Sequence, residues 1–221
     1  MKRQPLRKLF SENKQILYFL LFILAEILYF LTQLYGGEYH VIHTRLDDFI
    51  PFLPVFVIPY VIWYLYVPFS MLYTCFTDKS AFKKQIITVF SGMAVCIATF
   101  IVFPTSIDFR PNAEGNGFFL WICRIIFSKD KPVNVFPSMH CYEAVIIHLT
   151  TFRSTPLKKN IPLRASSAVL AVLICLSTVF IKQHSVIDLF GGVALAVILY
   201  AAVYVIPWKS IHKPKKTRND A

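Results

Sequence analysis

Six long apolar stretches, separated by short polar and basic clusters, organise this chain. They cover residues 16–35, 52–76, 86–103, 138–152, 165–181 and 185–206. A bilayer core about 30 Å thick takes roughly 20 apolar residues as a helix, so each stretch predicts a span, the fourth being short and therefore packed inside a bundle. Lipid offers no partner to backbone amides, which leaves helices as the way across. Pro51, Pro54, Pro59 and Pro68 predict a kink or break near the outer end of the second span. The longest loop, 104–136, has an apolar and aromatic middle at 118–127 that suits a short helix at the lipid interface.

Composition agrees with this layout. The 221 residues are 56% hydrophobic and 16% aromatic, more apolar side chain than one small soluble core buries. Five cysteines (Cys75, Cys96, Cys123, Cys141 and Cys175) form no CxxC pair and read as buried thiols rather than a disulfide or zinc framework. The apolar run after Lys2, Arg3, Arg7, Lys8 and Lys14 is too long for a signal peptide and no small-residue cleavage site closes it, so it stays as a span.

The net charge of +11 does not form a continuous basic face of the kind that binds nucleic acid. Seventeen Lys and Arg residues fall in the N-terminal segment, the second and fourth loops and the tail, against six on the other side. The positive-inside rule then puts both termini in the cytoplasm. The expected organisation is a basic segment (1–14), one membrane domain (15–207) and a basic tail (208–221), in a bacterial cell membrane.

Ionisable residues at membrane depth are costly and mark function. Arg110, then Ser138 and His140, then Lys182, His184 and Asp188 collect at the outward ends of different segments. His184 and Asp188, four apart, are neighbours on one helical face: either a nucleophilic imidazole oriented by a carboxylate, or two buried polar groups satisfying each other. Pro137 and Ser138 open a helix whose free amides can cradle phosphate, with His140 one turn in as a proton donor; a capped helix carrying a polar His reads equally from these residues. Arg110 can grip phosphate oxygens in a bidentate fork or snorkel to headgroups. Gly191 and Gly192 suit close helix packing. His40, His43, Asp47 and Asp48 carry metal-ligating groups at an unspecific spacing, and no metal is assigned. Glu26 lies within the first span and is given no role.

Arg110-Pro111, Pro137-Ser138-Met139-His140, and Ser177 through His184 to Asp188 resemble the three motifs of the type 2 phosphatidic acid phosphatase superfamily: Lys-x6-Arg-Pro, Pro-Ser-x-His and Ser-Arg-x5-His-x3-Asp. The resemblance runs from Phe103 to Gly192. It implies an all-α, six-helix transmembrane bundle and a lipid phosphatase, working without metal or other cofactor on a lipid phosphate, with membrane lipids as surroundings and no nucleic acid partner. It further implies His184 as nucleophile, Asp188 as its orienting carboxylate, His140 as acid and base, and Arg110, Ser138 and Ser177 around the phosphate. Glu143 and Thr178 stand just behind these. Phe103 and Thr178 replace the family's Lys and Arg, removing two cations; Lys182, four residues after Thr178, is expected on the same helical face as a substitute. The missing charges leave two other readings open: a head-group phosphotransferase similar to inositol phosphorylceramide and sphingomyelin synthases, and a lipid-phosphate-binding membrane protein of weak activity.

Overall fold

A computed structural model describes residues 15–34 and 37–206. The basic segment 1–14 and the tail 208–221, on which part of the charge argument rests, lie outside the described residues. The described chain is helical: α1 (Gln15–Thr32), α2 (Arg45–Phe49), α3 (Val57–Thr77), α4 (Lys79–Val102), α5 (Phe118–Lys129), α6 (Met139–Thr151), α7 (Ile161–Phe180) and α8 (Val186–Tyr200), the last continued by a π-helical turn, Ala201–Val205. Four helices are long and apolar enough to cross a membrane: α3 with the 3-10 turn before it, α4, α7, and α8 with its extension. The protein is a multi-pass membrane protein of all-α class. Leu20, Leu24, Ile27, Leu65, Phe69, Ile87, Val172 and Ile198 are among many large apolar side chains turned outward, a continuous exposure that only lipid makes economical.

The expected kink does not take the form of a break. Pro54 opens a 3-10 turn, Pro59 falls in the first turn of α3 where its missing N–H is harmless, and α3 runs on through Pro68. The expected helix at 118–127 is present as α5.

The fourth expected span is short and packed inside the bundle, as its length in the sequence implied. As α6 it has 13 residues, about 20 Å of rise, which is short of a bilayer core. It avoids lipid instead of crossing it alone: ten of its residues are buried, and α3, α4, α7 and α8 pack around it. Such a helix can be polar because neighbours supply partners. Gln85 of α4 donates to Thr150 Oγ1 (3.1 Å) and Thr151 Oγ1 (3.0 Å) at its C-terminal end, and Thr74 of α3 donates back to Gln85. Tyr142 donates to the Thr88 carbonyl of α4.

Close approach of α6 to α8 requires Gly192. A Cβ there would lie 2.3 Å from the Ser138 carbonyl oxygen and 3.0 Å from Cys141 Cβ, so the expectation of close packing at this glycine holds. Loops finish the end of the bundle at which α6 starts. A parallel two-residue pairing joins His40–Val41 to Thr105–Ser106, and Thr105 Oγ1 accepts from the amides of Val135 and Phe136 (both 3.0 Å), which fixes the lead into α6.

Substituting Gly192→Val should therefore force α8 off α6. The expected cost is about 1–3 kcal/mol from overpacking, read as a drop of several degrees in apparent Tm in mild detergent, whereas Ile87→Ala on the lipid face should stay near the parent.

Candidate active site

The N-terminus of α6 carries the first half of the site. Ser138 is the N-cap: its Oγ accepts from Cys141 N (3.3 Å), and its own amide donates to the Asp188 carbonyl (3.0 Å) of α8. His140 follows within the first turn and is 2% exposed. Its ring lies between Tyr60 (centroids 4.7 Å) and Trp63 (4.2 Å), one turn apart on α3. The two rings pack against the imidazole and hold it in one orientation.

The second half comes from the turn between α7 and α8. Both Gln183 N (2.8 Å) and His184 N (3.0 Å) donate to the Thr178 carbonyl, which folds the chain back at the end of α7. His184 thus precedes the helix instead of standing on it: Ser185 is the N-cap of α8, and Asp188 completes a capping box by accepting from Ser185 N (2.8 Å). The same Asp188 oxygen lies 3.5 Å from His184 Nδ1. The expected partnership is present, although its cause is a capping box rather than a shared helical face. Burial favours the neutral ring of His184, but the adjoining Asp188 carboxylate outweighs it and holds the pKa above the ordinary imidazole value. The rings of His140 and His184 are 5.7 Å apart, centroid to centroid, at 63°.

Arg110 reaches the same place. It donates to the carbonyls of Asp130 (2.8 Å) and Lys182 (3.4 Å) and to the side chain of Gln183, next to His184, and it stacks over Phe127 at 4.9 Å. Ser177 is fully buried and its hydroxyl donates to the Ile174 carbonyl (2.6 Å), so it supports the end of α7. Thr178 bonds the Cys175 carbonyl (2.7 Å) and touches Cys141 Sγ at 3.6 Å. Glu143 is fully buried beneath His140 and close to Glu26 of α1.

Lys182 departs from expectation. α7 ends at Phe180 and Lys182 adopts a left-handed backbone (φ 56°), so the i+4 projection from Thr178 does not exist. Its ammonium donates to the Asp47 carbonyl (2.6 Å) and lies over the Phe109 ring at 5.3 Å. Burial lowers its pKa against the pull of Asp47 and Asp48. Phe103, where the family carries Lys, stacks on His40 at 4.3 Å.

Asp130 and Gln183 escaped the sequence reading, as did the Tyr60–Trp63 pair, and Asp47 was read there only as one of four metal-ligating groups at an unspecific spacing. Asp130 is 4% exposed and accepts from Tyr29 (3.0 Å), Gln33 (2.7 Å) and Tyr60 (2.9 Å), joining α1 to α3 beside His140. The spacing of Tyr29 and Gln33, one turn apart at the end of a span, was its available signal. Asp47 accepts from Ser185 Oγ (2.7 Å), Val186 N (2.8 Å) and Thr44, clamping α2 onto the start of α8. Burial opposes its ionisation, but these hydrogen bonds outweigh it and hold its pKa below the usual carboxylate range. Gln183 holds Arg110. His43 pairs with Asp48 (2.7 Å) and Asp108 (3.0 Å) while Asp47 turns inward, and among the described residues no His, Cys, Asp or Glu group is placed to hold a metal.

Fold and site together define a helical membrane protein with two buried imidazoles facing one another at a capped helix start. The PAP2 superfamily model matches residues 110–212, the stretch that holds both histidines, and over that stretch the chain is similar to that superfamily. The similarity supports phosphatase-type chemistry on phosphate esters. No curated protein and no solved structure matches the chain.

Two outcomes follow. Asp130→Ala leaves two tyrosine hydroxyls and an amide without their acceptor, at about 1–3 kcal/mol for each orphaned donor; apparent Tm in detergent should fall far more than for Tyr29→Phe. For Asp47 the depressed pKa means that its contribution to stability is present above the unfolded value of 3.8 and is lost as pH falls through the lower folded value. Unfolding followed against pH should show this acid-side loss in the parent and not in Asp47→Asn.

Proposed function

We propose that the protein is a metal-independent lipid phosphate phosphatase that hydrolyses a phosphomonoester or diphosphate of a membrane lipid through a phosphohistidine. The observation that carries the reading is the 5.7 Å separation of the His140 and His184 rings, with Asp188 behind the second and the α6 N-terminus beside the first.

In this reading Asp188 holds the Nδ1–H of His184, so the Nε2 lone pair attacks phosphorus. The P–N bond forms as the ester P–O bond breaks, and His140 gives its proton to the departing lipid oxygen. His140, now neutral, takes a proton from water; that water attacks phosphorus, the P–N bond breaks, and inorganic phosphate leaves with His184 restored. Tyr60 and Trp63 hold that ring in place for both proton transfers. Arg110, the α6 amides and Ser138 are assigned to the phosphate oxygens, with Ser177 in support of that pocket. Lys182 is assigned to the rim, where its ammonium already meets a carbonyl oxygen. With α1 and α6 counted among the transmembrane elements the bundle has six, both termini in the cytoplasm and the histidines at the outer face.

The second reading, transfer of a phospholipid head group to an alcohol, is favoured by the loss of cationic side chains at Phe103 and Thr178 and by the buried Asp130 carboxylate, which lowers the positive potential of the pocket.

The experiment is to incubate purified protein with a panel of lipid phosphates, with and without alcohols, and identify products. Phosphate release that persists in chelator, is inhibited by vanadate and vanishes in His184→Ala is expected. Acid-labile, base-stable label on the parent protein should be lost in that variant. A requirement for added divalent metal would refute the reading, and product formation only with added alcohol would move it to transfer.

A further inference from the structure

The end of α6 remote from the histidines opens into a second polar cavity. It has a volume of about 350 Å³ and is lined by His148, Phe152, Arg153, Lys158, Arg164 and Tyr200. His140 and Arg153 are thirteen residues apart along α6 and its cap, about 20 Å of helix rise, so this cavity is separate from the active site.

Its electrostatics are one-sided. Arg153 is fixed by donating to the Tyr200 hydroxyl and lies over the rings of Tyr200 (5.2 Å) and Tyr204 (5.9 Å). Lys84 of α4 lies 5.8 Å from the Tyr204 ring, outside the lining itself. Lys158 comes from the loop between α6 and α7. Arg164 stands in the first turn of α7, where the helix dipole disfavours a cation and where no acidic residue offsets it. Asp78, which reaches this loop, gives its oxygens to the amides of Ser80, Ala81 and Thr155. Among the described residues every ion pair within 4 Å belongs to His43 or His184, so none involves these cations.

Like charges gathered at a concave site repel one another unless an anion sits among them. Two guanidinium forks and an ammonium converging from three elements match the oxygens of a phosphate group. His148, whose Nδ1 meets Ser167 Oγ at 3.0 Å, forms part of the wall with its other nitrogen still to pair. We propose that this cavity binds the phosphate group of an anionic molecule, carried either by a phospholipid headgroup or free in solution, at the face opposite the histidines. The site does not depend on the phosphatase reading, because none of its residues belongs to that machinery.

Hydrogen–deuterium exchange of the full chain tests it, read on the loop 153–160 and on the first turn of α7. One arm adds inorganic phosphate to protein in uncharged detergent. The other compares phosphatidylcholine vesicles with vesicles in which a fifth of the lipid is phosphatidylglycerol. Roughly tenfold slower exchange of these amides is expected in at least one arm, as for local opening suppressed by a bound ligand. Protection by the vesicles alone identifies a headgroup; protection by phosphate identifies a free anion. The double variant Arg153→Gln/Arg164→Gln should lose the protection while phosphate-ester turnover stays within about twofold of the parent. Lys158→Glu, on the exposed loop where folding is insensitive to it, should weaken protection as well. Absence of protection in both arms, or protection equal in parent and variants, overturns the proposal.

Discussion

A polar helix too short to cross a bilayer has to be wrapped by others, and α6 imposes that constraint on everything around it. Because it holds His140, Glu143, Thr150 and Thr151 away from lipid, its neighbours must supply donors and acceptors at both ends and close contact in the middle. Gln85 and Thr74 answer at one end, the Asp188 carbonyl and the Ser138 cap at the other, and Gly192 lets α8 approach its backbone. The apolar side chains of α3, α4, α7 and α8 are thereby released to face outward. Helix association in lipid relies on this combination of small residues and polar contacts, since apolar burial between helices gains little there.

The same wrapping creates the site. His140 is delivered by the start of α6 and His184 by the turn ahead of α8; the two meet because the Ser138 amide is bonded to α8. Charge is arranged around them through shared partners. Asp188 serves both the cap of α8 and the ring of His184, Arg110 is tied to the residue beside His184, and Asp130 ties three side chains of α1 and α3 next to the Tyr60–His140 stack. Such sharing makes the pocket rigid, since moving any one group breaks hydrogen bonds elsewhere.

The cations absent at Phe103 and Thr178 are the point at which this chain differs from its family pattern. Thr178 is used structurally: its carbonyl receives the amides of both Gln183 and His184, and its hydroxyl turns back to α7. Lys182 reaches a different neighbour from the one helical spacing suggested, because the chain leaves α7 before that residue and turns left-handed through it. Its backbone is nonetheless tied to Arg110, whose Nε donates to the Lys182 carbonyl (3.4 Å).

Much of this protein was legible in its sequence. Apolar runs identify the long helices because bilayer thickness sets their length, and the order and spacing of Arg110, Ser138, His140, His184 and Asp188 mark out the candidate site because capping and side-chain reach are local properties. Asp130, Asp47, Gln183 and the Tyr60–Trp63 stack were not legible: each matters through a partner dozens of residues away, and no periodicity within one segment records such a pairing. That His184 lies before its helix and that Lys182 turns toward Asp47 were likewise decided by the packing of helices, where the burial of polar groups is settled jointly and cannot be assigned to any one stretch of chain.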